Sequence, residues 1–130
     1  MYLFCLWQNY RGINLLSILT PYPEALRFHA MKNKIFCAID TPDLEQARAL
    51  ARSIGPVTGG IKLGLEFFNT HGPDGLRQIQ DISDGAAFFF DMKYHDIPNT
   101  VAGAVRGICT LNPAYVNVHA SGGREMMRRA

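Results

Sequence analysis

Three charged side chains lie within six residues at the point where an apolar run ends. The run "AAFFF" is followed by Asp91, Lys93 and Asp96 in the stretch "DMKYHDIPNT". Residues two apart on a β-strand point to the same side, so Asp91 and Lys93 are expected to lie together. A lysine flanked by carboxylates is expected to stay protonated, which makes it an acid rather than a Schiff-base nucleophile. The alternative is an ordinary surface ion pair at a strand end.

Other apolar runs also carry a polar residue at or near their ends. Asp40 follows "KIFCAI", Lys62 lies within "IKLG", and His119 ends "YVNVH". The carboxyl ends of parallel strands meet at one face of an α/β barrel, where active sites lie, so these side chains are expected to converge with the charges of "DMKYHD". Two of them have a structural alternative. Asp40 could cap the following helix, and His119 could be a hydrogen-bonded structural histidine.

The elements that would carry these residues alternate between strands and helices. Short apolar runs predict strands at residues 34–40, 57–64, 86–93 and 114–120. Helical spacing follows each of them, at residues 41–54, 65–82 (interrupted at Gly72-Pro73), 97–111 and 124–130. This alternation predicts parallel strands joined by right-handed crossovers. Four such units span about half of the roughly 250 residues of an eight-stranded barrel, and no G-x-G-x-x-G supports a doubly wound dinucleotide-binding sheet.

Composition limits the classes of function. The chain has 130 residues, of which 48% are hydrophobic and 18% charged, and its formal net charge is +2. These values predict a globular domain without the basic patch that binds nucleic acid or an anionic membrane. No apolar run approaches the roughly 20 residues that span a bilayer. Three cysteines without a C-x-x-C pair favour free thiols in the cytoplasm, and the four histidines lack metal-ligand spacing, so we expect no metal or cofactor.

Residues 1–30 differ in character from the rest of the chain. They contain apolar clusters broken at Arg11-Gly12 and Pro21-Tyr22-Pro23, with neither a helical nor an alternating period. We expect these residues to form an N-terminal extension outside the fold. The domain itself is expected to cover residues 31–130, beginning at Met31 with "MKNKIFCAID".

The stretch "DMKYHDIPNT" resembles the D-x-K-x-x-D-I-P-N-T signature of the orotidine 5'-phosphate decarboxylase family. The segments "AID", "IKLGLEFF" and "VNVHASGG" are similar to the family's pattern in the same order, so the resemblance runs from Lys34 to Ala130. It implies the N-terminal half of a TIM (β/α)8 barrel. It also implies a metal-free carboxy-lyase that converts orotidine 5'-phosphate to uridine monophosphate and carbon dioxide in pyrimidine synthesis.

The resemblance implies a catalytic role for four residues. Lys93 is similar to the lysine that protonates C6 as carbon dioxide leaves, and Asp91 to the aspartate beside the substrate carboxylate. Asp96 is similar to the residue that crosses a homodimer interface to complete the partner's Lys-Asp-Lys-Asp array. Lys62 matches the other lysine of that array.

The remaining implied roles concern substrate binding. Asp40 and Lys62 resemble the residues that hold the ribose, and Ile97 and Thr100 resemble those that reach across the dimer interface, Ile97 beside the pyrimidine ring. His119 matches the pattern without an assigned role. The family's phosphate-binding half has no counterpart in these 130 residues, so we expect the isolated chain to have little or no activity.

Two other interpretations of the sequence stay open. A bare D-x-K-x-x-D is shared with magnesium-dependent decarboxylases and aldolases that act on sugar phosphates on the same scaffold, although "IPNT" favours the orotidylate enzyme. The chain could also be a truncated, non-catalytic paralogue that serves as a binding module.

Overall fold

The computed structural model describes residues 2–6 and 34–130. The strands are β1 (Tyr2–Leu6), β2 (Phe36–Ile39), β3 (Gly60–Gly64), β4 (Ala87–Tyr94) and β5 (Tyr115–His119). The helices are α1 (Leu44–Ile54), α2 (Leu65–Asp81), α3 (Pro98–Cys109) and α4 (Gly123–Arg129), with a short 3-10 helix, Ala120–Gly122, before the last. The four predicted strand and helix units are therefore confirmed.

All five strands belong to one sheet in the order β1-β5-β4-β3-β2. Strands β2 to β5 run parallel to their neighbours, as the alternation of strands and helices predicts. Strand β1 pairs antiparallel with β5, and the Cα partners run from Tyr2 opposite His119 to Leu6 opposite Tyr115. Tyr2–Leu6 thus lies in the sheet rather than outside the fold. The rest of the predicted extension falls outside the described residues, so the boundary at Met31 stays a prediction.

The two faces of the sheet have different surroundings. One face packs beneath α1, α2 and α3 in a hydrophobic core that contains Ile39, Ile61, Leu63, Phe88, Phe90, Phe67, Leu76, Ile79 and Ile108. Burial of each large side chain stabilises the fold by about 1.5–3 kcal/mol. On the opposite face, the partly exposed rings of Phe36, Phe89 and Tyr115 meet edge to face, with centroids 5.2–6.3 Å apart. Lys62 and Asp91 share the alternation of Phe89 and therefore lie on this second face.

The helix boundaries follow local side-chain chemistry. The Asp43 side chain caps α1 by accepting a hydrogen bond of 2.9 Å from the Gln46 N–H. The predicted interruption of α2 is confirmed at Gly72, whose φ of 61° lies in the left-handed region that favours glycine. Pro98 occupies the first turn of α3, where its missing N–H costs no hydrogen bond. Within the described residues, every helix is too short or too polar to cross a bilayer.

Candidate active site

A buried carboxylate forms the centre of the candidate site. Asp91 lies in the carboxyl-terminal half of β4 and is 8% exposed. Its Oδ1 lies 2.6 Å from Lys93 Nζ, and its Oδ2 lies 3.1 Å from Lys62 Nζ. Asn117 Nδ2, on β5, donates a third hydrogen bond to Oδ1 at 2.6 Å. Because the carboxylate is buried and bridges three strands, the alternative of an ordinary surface ion pair is wrong.

The surroundings of Asp91 favour its ionised form. Burial raises the pKa of the Asp91 carboxyl, because removal from water disfavours charge. Hydrogen bonds from Lys93, Asn117 and Lys62, together with the charge of Lys62, lower that pKa by more, so the net shift is downward from the ordinary value. The side chains of Lys62 and Lys93 remain 27% and 33% exposed. Their ammonium groups can therefore meet a small molecule while a fixed anion holds them.

Lys93 lies in an irregular part of β4. Phe90 pairs with Val116 and Tyr94 pairs with Val118. Between these two pairs, β4 therefore advances by four residues while β5 advances by only two. The extra residues form a bulge, and Lys93 within it has φ 50°, a value that residues with side chains seldom adopt. Asp91 and Lys93 do lie together as predicted, but the bulge, rather than regular strand alternation, sets the direction of Lys93.

The second half of the motif lies at the surface. Asp96 is exposed, and its Oδ1 accepts a hydrogen bond of 2.6 Å from the adjacent Ile97 N–H. The Ile97 side chain is 67% exposed. Thr100 is also exposed, in the first turn of α3, and its N–H donates to the Ile97 carbonyl at 3.1 Å. The structure therefore brings Asp91, Lys93 and Lys62 together and leaves Asp96, Ile97 and Thr100 exposed.

Two further predicted residues lie at the carboxyl ends of strands. Asp40 is exposed directly after β2, one residue beyond the pairing of Ile39 with Leu63. Because Asp43 is the residue that caps α1, the capping alternative for Asp40 is wrong. His119 ends β5, and its ring centroid lies 5.3 Å from that of His95, at an interplanar angle of 42°. This contact assigns no chemical role to His119.

Asn117 is a member of the cluster that the sequence patterns do not predict. Its side chain is 3% exposed and joins Asp91 to the backbone of Lys93, whose N–H donates to Asn117 Oδ1 at 2.7 Å. The available signal was a polar residue within the apolar run "YVNVH". Its spacing of two from Tyr115 places it on the same face as the aromatic cluster and the charges.

The cluster can bind an anion and transfer a proton. The partly exposed ammonium groups of Lys62 and Lys93 attract a negatively charged ligand. Both contact the Asp91 carboxylate, which also accepts a hydrogen bond from Asn117, so their positions are fixed. Such an arrangement stabilises charge that develops on a bound molecule without having to reorganise. Among the described residues, no group of three or more His, Cys, Asp or Glu side chains is arranged to hold a metal ion.

Comparisons with known proteins agree with this fold. A sequence profile described as "Orotidine 5'-phosphate decarboxylase / HUMPS family" matches residues 33–130. The chain is 50% identical, over 100 residues, to the orotidine 5'-phosphate decarboxylase of Novosphingobium aromaticivorans, covering 77% of this chain and 44% of that protein. It is 45% identical, over 107 residues, to the enzyme of the same name from Moorella thermoacetica, covering 82% of this chain and 41% of that protein.

A solved structure gives the same result. The crystal structure of orotidine 5'-phosphate decarboxylase from Pyrococcus horikoshii OT3 matches with a TM-score of 0.68 and 26% identity, over 73% of this chain and 46% of that one. The prediction of a partial TIM barrel is thus confirmed, and the chain spans less than half the length of these relatives. Since the family profile covers most of its residues, the chain belongs to the orotidine 5'-phosphate decarboxylase / HUMPS family.

Proposed function

We propose that this chain supplies the catalytic charge cluster of an enzyme that decarboxylates orotidine 5'-phosphate to uridine monophosphate. One observation carries the proposal: the Asp91 carboxylate lies between Lys93 Nζ and Lys62 Nζ, at 2.6 and 3.1 Å. The motif "DMKYHDIPNT" and the similarity to relatives named orotidine 5'-phosphate decarboxylase support the choice of substrate.

In the proposed reaction, the bond between C6 of the pyrimidine and the substrate carboxylate breaks. Its electron pair stays on C6 as carbon dioxide leaves, and Lys93 Nζ donates a proton to that carbon. Lys93 then regains a proton from water. Because Asp91 fixes the ammonium group beforehand, charge that develops at C6 is stabilised without rearrangement of the site.

The remaining residues of the motif serve binding and assembly in this proposal. Asp40 and Lys62 hold the ribose, whereas Asp96, Ile97 and Thr100 act in the site of a second copy of the chain. The outward direction of the turn supports this second role, since an exposed isoleucine is well placed for an interface. We therefore expect a homodimer with shared sites. We also expect it in the cytoplasm, in keeping with the cysteine pattern.

The test is a decarboxylation assay with a matched pair of lysine variants. Because the relatives are longer, we would assay the chain alone and the chain joined to the C-terminal portion of the Novosphingobium aromaticivorans relative. Lys93→Ala should lower kcat about 1,000-fold, because it removes the proton donor. The control, Lys34→Ala, changes an exposed lysine outside the cluster and should leave the rate unchanged.

Two outcomes would contradict the proposal. One is a Lys93→Ala protein that decarboxylates orotidine 5'-phosphate as fast as the parent. The other is a folded joined protein that binds uridine monophosphate but releases no carbon dioxide. A further assay with the chelator EDTA tests the magnesium-dependent alternative. We expect EDTA to leave the decarboxylation rate unchanged, whereas a magnesium-dependent enzyme would lose activity.

A further inference from the structure

We infer that Asn117 is a positioning residue: its amide holds the bulged backbone of Lys93 in the orientation from which the Lys93 ammonium group meets Asp91. Only the expected effect on decarboxylation kinetics rests on the proposed function. The structural part of the inference concerns two hydrogen bonds, from Asn117 Nδ2 to Asp91 Oδ1 and from the Lys93 N–H to Asn117 Oδ1, at 2.6 and 2.7 Å.

The chemistry of the two partners requires a side chain that both donates and accepts a hydrogen bond. An ionised carboxylate can only accept hydrogen bonds, and a backbone N–H can only donate one. Asn117 satisfies both with one planar group, because its nitrogen donates to Asp91 while its oxygen accepts from Lys93. Aspartate has the same shape but cannot donate when ionised, and alanine provides neither contact.

The backbone of β4 explains why Lys93 needs such a partner. The bulge between Phe90 and Tyr94 removes regular ladder pairing from the residues between them. Lys93 also has φ 50°, a conformation that persists in a residue with a side chain only when its surroundings fix it. The Asn117 side chain replaces the missing ladder acceptor. It is itself 3% exposed and therefore fixed within the sheet.

The same amide acts on the electrostatics of the cluster. The charged groups that face Asp91 are Lys62 from β3 and Lys93 from β4, and Asn117 is the neutral group that faces it from β5. The hydrogen bond from Asn117 is one of the interactions that lower the pKa of Asp91 against the effect of burial. Loss of the amide should therefore change both the direction of Lys93 and the titration of Asp91.

Two variants of the 130-residue chain separate these effects. Asn117→Ala removes both contacts, so the Asp91 carboxyl should titrate at higher pH and the Lys93 amide should exchange with solvent at least about tenfold faster. Asn117→Asp keeps an acceptor for the Lys93 N–H, so exchange at Lys93 should stay slow. Two adjacent carboxylates cannot both ionise easily, so the pair should still titrate at higher pH.

The readouts are carboxyl carbon NMR titration and amide hydrogen exchange, the latter normalised to the core amide of Ile61. Thr58→Val is the matched control, because it removes the hydrogen bonds of a buried hydroxyl to the Ile35 and Gly60 carbonyls at the amino ends of β2 and β3. It should lower the free energy of unfolding and leave the Asp91 titration and the normalised Lys93 exchange as in the parent.

Unchanged Asp91 titration and unchanged Lys93 exchange in folded Asn117→Ala would overturn the inference. If that variant does not fold, Asn117→Asp provides the test. A carboxyl titration unchanged from the parent in Asn117→Asp would also overturn the inference. In the decarboxylation assay, folded Asn117→Ala should lower kcat about 100-fold with little change in KM, as misplaced catalytic groups do. The NMR results do not depend on catalysis, so failure of the proposed function leaves them intact.

Discussion

Residues 91–93 and residues 96–100 belong to one continuous motif, yet their surroundings are opposite. Asp91 is buried and contacts two ammonium groups and an amide from three neighbouring strands. Ile97 is largely exposed, and the Asp96 carboxylate contacts the backbone N–H of that adjacent residue. The first part is thus organised by the fold of this chain, whereas the second presents side chains outward. We infer that the two parts of the motif have different roles. The role of residues 96–100 depends on the molecule that binds to this exposed surface.

The largest expected difference between the two parts of the motif is in the free energy of unfolding after the Asp91 or the Asp96 carboxylate is neutralised. Asp91→Asn should lower the free energy of unfolding by about 2 kcal/mol, because it leaves two ammonium groups without their shared anion. Asp96→Asn, the matched variant, should change it by less than about 0.5 kcal/mol, since its carboxylate is exposed. Urea unfolding of the chain measures both. Equal losses would mean that burial does not distinguish the two parts.

The buried part should also respond to acid in a defined direction. The folded-state pKa of Asp91 lies below its ordinary value of 3.8, so its ionisation contributes stability above that value. This contribution is lost as the pH falls from the unfolded pKa through the folded one. The difference in free energy of unfolding between the parent chain and Asp91→Asn should therefore shrink below about pH 4.

Urea unfolding at a series of pH values measures this difference. The difference between the parent chain and Asp96→Asn should stay near zero over the same range, which provides the control. A gap between the parent and Asp91→Asn that widened toward low pH would contradict the favourable surroundings described for the Asp91 carboxylate.

Much of the fold could be predicted because its signals are local. Apolar runs and helical spacing are properties of neighbouring residues, and they placed four strands and four helices correctly. Strand β1 could not be predicted in this way. Its pairing with β5 joins Tyr2 to His119, and a contact between residues so distant in sequence leaves no periodic pattern in either segment.

The candidate site was predictable in its charges but not in its support. The types and spacing of Asp91 and Lys93 indicated a pair, and the structure brings them within 2.6 Å. The φ of 50° at Lys93 had no sequence signal, because no glycine or asparagine marks that position. Asn117 could not be predicted, since its importance depends on two contacts across the sheet, with residues 24 and 26 positions away in the chain.

The smallest expected effect on stability concerns the exposed part of the motif, at Ile97. Ile97→Ser should leave the free energy of unfolding of the chain within about 0.5 kcal/mol of the parent, since its side chain contributes little to the core. In the proposed dimer the same change removes an apolar contact, so self-association should weaken about tenfold or more. Sedimentation equilibrium of the parent and the variant measures this shift.

Val57→Ser is the matched control, because Val57 is 72% exposed and precedes β3, at the opposite end of the strands from the motif. General surface hydrophobicity would make both variants associate less, whereas a specific interface at the turn would affect Ile97→Ser alone. If Ile97→Ser destabilised the chain as strongly as Asp91→Asn does, the turn would be part of the folded core. The division of the motif into a buried and a presented part would then be lost, and with it the reason for assigning Asp96 to a partner's site.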